Sequence, residues 1–402
     1  MGSSKFGWGV ACLLICGCYQ GHDEQRALTG APLQVSRDDG KVPRAGGPAK
    51  PKPAHGPDAS TPALPPCVPT VDAAMDDDAG TTAPGARALS VSTYNQTTCA
   101  LLEDRTVRCW GDNSQGTLGE GTFIDSSQPV QVHDLGQVVQ LDVGLLRACA
   151  VVEGGGLRCW GDNLWDVMRV GDELDHNLPV TAQSLEHVAQ VSLGEHQTCV
   201  RYMNNTLECW GYPHLMDTVQ DVSDVTGVEA GYFLNTATLR DGSVRSWGEN
   251  GLAGPVDVSS SLAVSSGYGF VCILTPDATV RCQGIYNVHE TVPRFAGLVP
   301  GLSDVVSLSF GFEHSCAITR AGKVFCWGRD NRGQLGDGVT AYRTEAREVP
   351  NLEHVVEVTC GREHTCARTQ DGSIYCWGSN DKGELGDGTT TERHSPVLVR
   401  GL

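Results

Sequence analysis

Residues 355–402, VVEVTCGREHTCARTQDGSIYCWGSNDKGELGDGTTTERHSPVLVRGL, hold one copy of a unit that recurs along the chain. Val355 to Thr359 alternates apolar and polar residues, as does Ser373 to Trp377, and both stretches read as strands. Between Cys366 and Cys376 the Asp371-Gly372 pair supplies a hairpin turn with glycine in the left-handed position. The two cysteines are symmetric about Asp371. A turn centred there sets them opposite each other on antiparallel strands, with Cβ atoms about 4.5 to 5.5 Å apart. A disulfide fits that geometry with little backbone adjustment.

Five further pairs keep the same ten-residue spacing: Cys99 and Cys109, Cys149 and Cys159, Cys199 and Cys209, Cys272 and Cys282, Cys316 and Cys326. A seventh copy loses both sulfurs together, with Thr236 and Ser246 in their places. Joint loss is the mark of bonded pairs, because a single surviving half of a disulfide has no use. Six disulfides are therefore expected, in a protein of an oxidising compartment. The first cysteines, with Thr236 for the fourth copy, stand 50, 50, 37, 36, 44 and 50 residues apart. The hairpin stays fixed while the segment after Trp-Gly changes length, so the variable part is a surface loop. Copies one, six and seven keep that loop as GTLGEG (116–121), GQLGDG (333–338) and GELGDG (383–388). These runs lack the lysine of a phosphate loop and lead into no helix, so they read as compact turns.

Several elements recur in fixed order: Gly361, His364, Cys366-Ala367, Asp371-Gly372, Trp377-Gly378, Asn380, GELGDG and Pro396-Val397. Copy six repeats them through Gly311, His314, Cys316-Ala317, Trp327-Gly328, Asn331 and GQLGDG. The pattern resembles that of the regulator of chromosome condensation family over residues 89–402. The resemblance implies an all-β fold, a seven-bladed β-propeller. Copy four, without cysteines, and copy five, with Gln283 in place of the tryptophan, are expected to form smaller or less regular blades. Trp110, Trp160, Trp210, Trp247, Trp327 and Trp377 recur once per copy, as packing between blades requires. His314 and His364 share a position held elsewhere by Thr97, Arg147, Gln197, Leu234 and Phe270, which favours a bracing role over chemistry.

The amino-terminal segment differs in kind. Lys5 precedes a short apolar run, Phe6 to Ile15, that reads as a signal-peptide core, too brief to span a membrane. It ends in Ile15-Cys16-Gly17-Cys18, which resembles a bacterial lipobox and marks Cys18 as the lipid-bearing residue; an ordinary signal peptide cut elsewhere is the alternative. Residues 1–17 are thus read as a signal peptide and 18–88 as a lipid-attached tether. Eleven of the twenty prolines fall between Tyr19 and Ala88, where nothing can form a core. The expected location is the bacterial cell envelope, as an outer-membrane lipoprotein, with secretion as the alternative. Cys67 and Cys360 are left over. They are expected either to bond to each other or to leave Cys67 unpaired or bonded between molecules.

A net charge of −19, from 29 basic and 48 acidic residues, argues against nucleic acid and anionic lipid as partners. It also separates this chain from the nuclear role of the family's best-known member, so fold does not transfer function. No nucleophile and base pair, cofactor fingerprint or metal-ligand spacing stands out, and neither enzyme chemistry, cofactor nor metal is expected. The preferred reading is a monomeric, non-catalytic scaffold presenting propeller loops to a protein or glycan partner. The alternative is an extracellular hydrolase or lyase acting on a polymer from the central channel. A Gly, or Tyr94 in the first copy, sits five residues before each first cysteine, and the residues after it vary. Those turn tips are the candidate binding face: Leu145, Leu146, Glu195, His196, Tyr232, Phe233, Tyr268, Phe270 and Phe312.

Overall fold

The computed structural model describes residues 86–211, 222–231, 234–248, 262–267, 270–284 and 296–402. The signal segment, Cys18, the tether and Cys67 lie outside the described residues, as do Tyr232, Phe233 and Tyr268. The rest forms seven antiparallel sheets in chain order, each built from consecutive strands. We call them blades 1 to 7, spanning 88–131, 138–181, 188–211, 225–248, 263–298, 305–348 and 355–398. Blades 3 and 4 show three strands each among the described residues, and the last strand of blade 5 is only Ala296–Leu298.

Within each blade the cysteines face each other as the hairpin geometry requires: Cys99 opposite Cys109, Cys366 opposite Cys376, and so through all six pairs. All six are disulfides, with Cα atoms 4.0 to 4.1 Å apart, the spacing of a close, non-hydrogen-bonded cross-strand pair. In blade 4 Thr236 and Ser246 keep the same register without the bond. The staple therefore reinforces a pairing that the strands make unaided. Cys360 carries a free, fully buried thiol that donates to the Ser309 carbonyl at 3.6 Å. Its expected partner, Cys67, lies outside the described residues, and the Cys360 side chain points into the packing between blades 6 and 7.

The buried apolar side chains fall into clusters that each join two consecutive blades. One sets Tyr94 and Leu118 of blade 1 against Leu141 and Trp160 of blade 2, and another sets Leu335 of blade 6 against Val358 and Trp377 of blade 7. The tryptophans sit in these seams. Trp110, Trp160 and Trp377 are fully buried, and each donates its indole N–H to a loop carbonyl of the preceding blade: Glu384, Thr117 and Gln334, at 2.9, 2.7 and 2.9 Å. Such an indole satisfies its polar edge while burying its rings. The loop must run close over it. A Cβ on Gly336 would lie 2.7 Å from the Trp377 indole nitrogen, and its φ of +73° suits glycine, which accounts for the Gly-rich runs.

Ring closure uses the same devices as every other junction. Val188 N–H donates to the Gly155 carbonyl and Val355 N–H to the Gly322 carbonyl, both at 2.9 Å, tying a blade's first strand to the previous hairpin. At the seam between blades 7 and 1, Ala88 N–H donates to the Gly372 carbonyl at 3.1 Å. Arg87 adds bonds to the carbonyls of Asp371 and Gln370 at 2.8 and 3.0 Å. The ordered blade thus starts at Ala88, one residue before the boundary expected from sequence.

Candidate functional site

The first strand of each blade packs against the first strands of its neighbours and lines the inner edge of the ring. Its polar side chains face the next blade and bond to it. Asp142 accepts the Leu193 N–H at 2.7 Å and the Ser92 hydroxyl at 3.0 Å. Gln140 accepts the Val191 N–H at 2.9 Å, Thr359 the Thr93 N–H at 3.2 Å, and Glu357 the Val91 N–H at 3.3 Å. Burial raises the Asp142 and Glu357 carboxyls to about 7 despite these bonds. Glu229, at the matching position of blade 4, is raised well above the usual range by burial, and the Asp142 carboxylate adds to it. Polar residues from different blades do converge at the inner edge, but most are spent on holding the blades together.

The position two residues before the first cysteine is a second set of latches. His314 bonds Thr365 of blade 7 at 2.9 Å, and His364 bonds Thr98 of blade 1 at 3.0 Å. Each threonine hydroxyl gives its hydrogen to a loop carbonyl, of Gln334 and Glu384 respectively, so each imidazole must donate from Nε2 and stand neutral. Burial pushes both rings down to about 3, with His364 adding to the effect on His314. In blade 2 the same place holds Arg147, fully buried, donating to the carbonyls of Gly194, Glu195 and Gln197 of blade 3 at 2.7 to 2.9 Å. In blade 3 it holds Gln197, which exchanges bonds with Asn235 of blade 4. The bracing role expected of the histidines extends to their equivalents and reaches the next blade.

The turns between first and second strands share one end of the blades with the loops between third and fourth strands. On this face the expected tips divide. Leu145, Leu146 and His196 are half-buried. Glu195 and Phe312 are buried, 4% and 3% exposed, and are corrected as exposed tips. Glu195 is drawn down beside the Arg147 guanidinium that holds its carbonyl, and Phe312 lies beneath the Arg362 guanidinium at 5.7 Å. Phe270 begins a strand, and its side chain lies outside the described residues.

Sequence reading missed the loop 162–175 of blade 2. Its residues occupy the backbone of the Gly-rich loops without two of the three glycines: Asp166 at φ +50° and Arg169 at +57° stand where Gly116 and Gly119 stand in blade 1. Trp165, at φ +61°, is 38% exposed and Leu164 45%. Trp165 meets His196 of blade 3 edge to face, with ring centres 4.9 Å apart. The same loop place is Arg332 in blade 6 and Lys382 in blade 7. Arg332 pairs with Glu363, Asp381 and Glu392 of blade 7; Lys382 pairs with Asp112 and Asp125 of blade 1. The signal was available in the alignment of DNLWDVMRVGD, residues 162–172, with DNSQGTLGEGT, residues 112–122.

A ring of seven blades, six of them stapled by a disulfide and most of them latched to the next, defines a repeat propeller. The chain carries repeats of the regulator of chromosome condensation type. Models described as "Regulator of chromosome condensation (RCC1) repeat" match residues 89–117, 305–334 and 355–384, and again 321–368 and 371–402. Protein pim1 of Schizosaccharomyces pombe is 27% identical over 128 residues, which is 31% of this chain and 20% of that protein. The match thus spans about one fifth of that relative's length. Among solved structures, Prp20p of Saccharomyces cerevisiae, studied for its binding to Gsp1p and histones, is 16% identical, covering 79% of this chain and 87% of its own, with a TM-score of 0.63. The CRINKLY WD40 ectodomain of the Arabidopsis thaliana receptor kinase ACR4 is 19% identical, covering 79% of this chain and all of its own, with a TM-score of 0.51. At these identities the structural likeness is one of fold.

Proposed function

We propose that this protein is a non-catalytic binding scaffold, held at a bacterial envelope by a lipid on Cys18, whose turn-bearing face receives a protein partner. The observation that carries the reading is the blade 2 loop. It places Leu164 and Trp165 in solvent on a frame stapled by disulfides, with Trp165 at a backbone conformation that non-glycine residues rarely adopt. Six disulfides suit an oxidising compartment, and in ACR4 the same fold serves as an ectodomain. Prp20p, of the same fold, has been studied for its binding to Gsp1p and histones. Polar groups at the inner edge supply the enzyme alternative with one coupled pair, Asp142 and Glu229, but Asp142 is occupied by blade 3.

Affinity capture from envelope extract with the mature chain tests the reading. The wild type should retain a protein that Trp165→Ala loses. Retention of the same proteins by both would sink it. Anchoring is tested separately by metabolic labelling with a fatty-acid analogue, which should mark the wild type and not Cys18→Ser.

A further inference from the structure

The junction of blades 7 and 1 shows how this fold binds an ammonium group. Lys382 extends from the blade 7 loop to place its Nζ 3.5 Å from Asp112 and 2.8 Å from Asp125 of blade 1. Fifty residues on, blade 2 repeats both carboxylates as Asp162, directly after Trp160-Gly161, and Asp175, directly before the strand His176–Thr181. The loop residue that should reach them from blade 1 is Gln115, which brings no charge. Neither Asp162 nor Asp175 forms an ion pair among the described residues. Arg147 and, to a smaller extent, His196 act on Asp162 from a distance, but the Arg147 guanidinium also holds three carbonyls of blade 3 and His196 faces Glu195 at 3.3 Å.

Three other charged side chains of the loop are engaged. Asp172 pairs with His176 at 3.0 Å, Asp166 accepts the N–H groups of Val170 and Gly171, and Arg169 pairs with Glu208 at 2.7 Å. Asp162 is largely buried; desolvation raises its pKa, the Arg147 guanidinium opposes the rise and the neighbouring Asp175 adds to it. Leu164 and Trp165 stand beside it, exposed.

We infer that the blade 1 and 2 junction on the turn-bearing face docks a lysine side chain of a partner protein, its ammonium held between Asp162 and Asp175 as Lys382 is held between Asp112 and Asp125. The partner's adjoining residues rest on Leu164 and Trp165. The inference rests on the scaffold reading above and gives the partner its chemistry: a lysine-bearing segment, complementary to a chain of net charge −19.

The test uses the full chain and a fluorescent decalysine peptide at about 0.15 M salt, where long-range attraction is screened. Asp162→Asn with Asp175→Asn should weaken binding about tenfold or more. Gln115→Lys, which supplies the ammonium internally, should do the same while keeping or raising the thermal midpoint, so that loss of binding cannot be loss of fold. A control with the same charge change on the far hairpins and linkers, Asp134→Asn with Glu153→Gln, should stay within about twofold. Equal weakening by the control, or unchanged binding in Gln115→Lys, overturns the site. The outcome also separates the two readings. If Gln115→Lys loses decalysine while the wild type captures no envelope protein, the lysine site stands and the scaffold reading falls. If it keeps both decalysine and a captured partner, the site falls alone.

Discussion

At the junction of blades 6 and 7, Arg332 reaches across to three carboxylates of the next blade; at the junction of blades 2 and 3 the same loop position is Trp165, turned to the edge of His196 and left 38% exposed. Both loops follow a Trp-Gly pair, and both keep the left-handed turns that the fold demands. Blade 6 meets that demand with Gly333 and Gly336, blade 2 with Asp166 and Arg169. One sector therefore satisfies its charges within itself. The other carries backbone strain and shows solvent an aromatic ring, in a loop flanked by two carboxylates that form no ion pair among the described residues. In a repeat fold the neighbouring copy serves as the reference state, and a site is a position that departs from it at a cost.

Truncating the seam is the strongest way to break the contrast. Trp377→Ala should lower the unfolding free energy by about 3 to 5 kcal/mol, as for a fully buried tryptophan. Trp165→Ala should change it by less than about 0.5 kcal/mol. Equal losses in chemical denaturation would make Trp165 a packing residue and erase the distinction.

Removing a staple should cost less. Cys149→Thr with Cys159→Ser, copying the natural pair Thr236 and Ser246, should destabilise by about 2 to 3 kcal/mol and leave the ring intact. Near-ultraviolet circular dichroism of an unfolded variant would show instead that blade 4 survives for some other reason.

Acid should act on the latched sector. His364 titrates near 3 in the fold against an ordinary value near 6.5, so the unfolded chain takes up its proton first as pH falls. Its contribution is whole above 6.5 and is lost between 6.5 and 3, on the order of 1 kcal/mol per pH unit. Asp142 and Glu357, raised to about 7, work in the opposite sense: their stabilisation is present below the ordinary carboxyl range and is lost as pH rises through 7. His364→Gln, placing there the amide that blade 3 uses as Gln197, should flatten stability between pH 6.5 and 3. A curve parallel to wild type would remove the latch from the account.

Among the interblade contacts the smallest effect is expected at Lys382. It is partly exposed, and Lys382→Gln should cost less than about 1 kcal/mol and lose its effect at high salt. A larger, salt-independent loss would mean that the cation is structural, and would weaken the use of this junction as a template for the one beside it.

The propeller was legible because its marks are periodic. Cysteine pairs ten residues apart and a tryptophan one step later announce strand register and seam together. The face was less legible. Counting from the cysteine locates Glu195 and Phe312 at turn tips but cannot say which way a tip leans, and the pull of Arg147 on one and the cover of Arg362 on the other come from adjoining blades. The reach of His314, His364 and Arg147 across a seam is likewise a fact of three dimensions. Trp165 and Asp162 were within reach of sequence, since each differs in role from its counterpart in a neighbouring copy.

The seam between blades 7 and 1 has one more implication. Ala86 N–H donates to the Leu402 carbonyl at 3.2 Å, and the closing junction repeats the bonds of the internal ones. The ring has no privileged starting point. Joining residue 402 to residue 86 and opening the chain at the linker 132–137 would renumber the blades without changing any blade's neighbours, so a circular permutant should fold to the same ring.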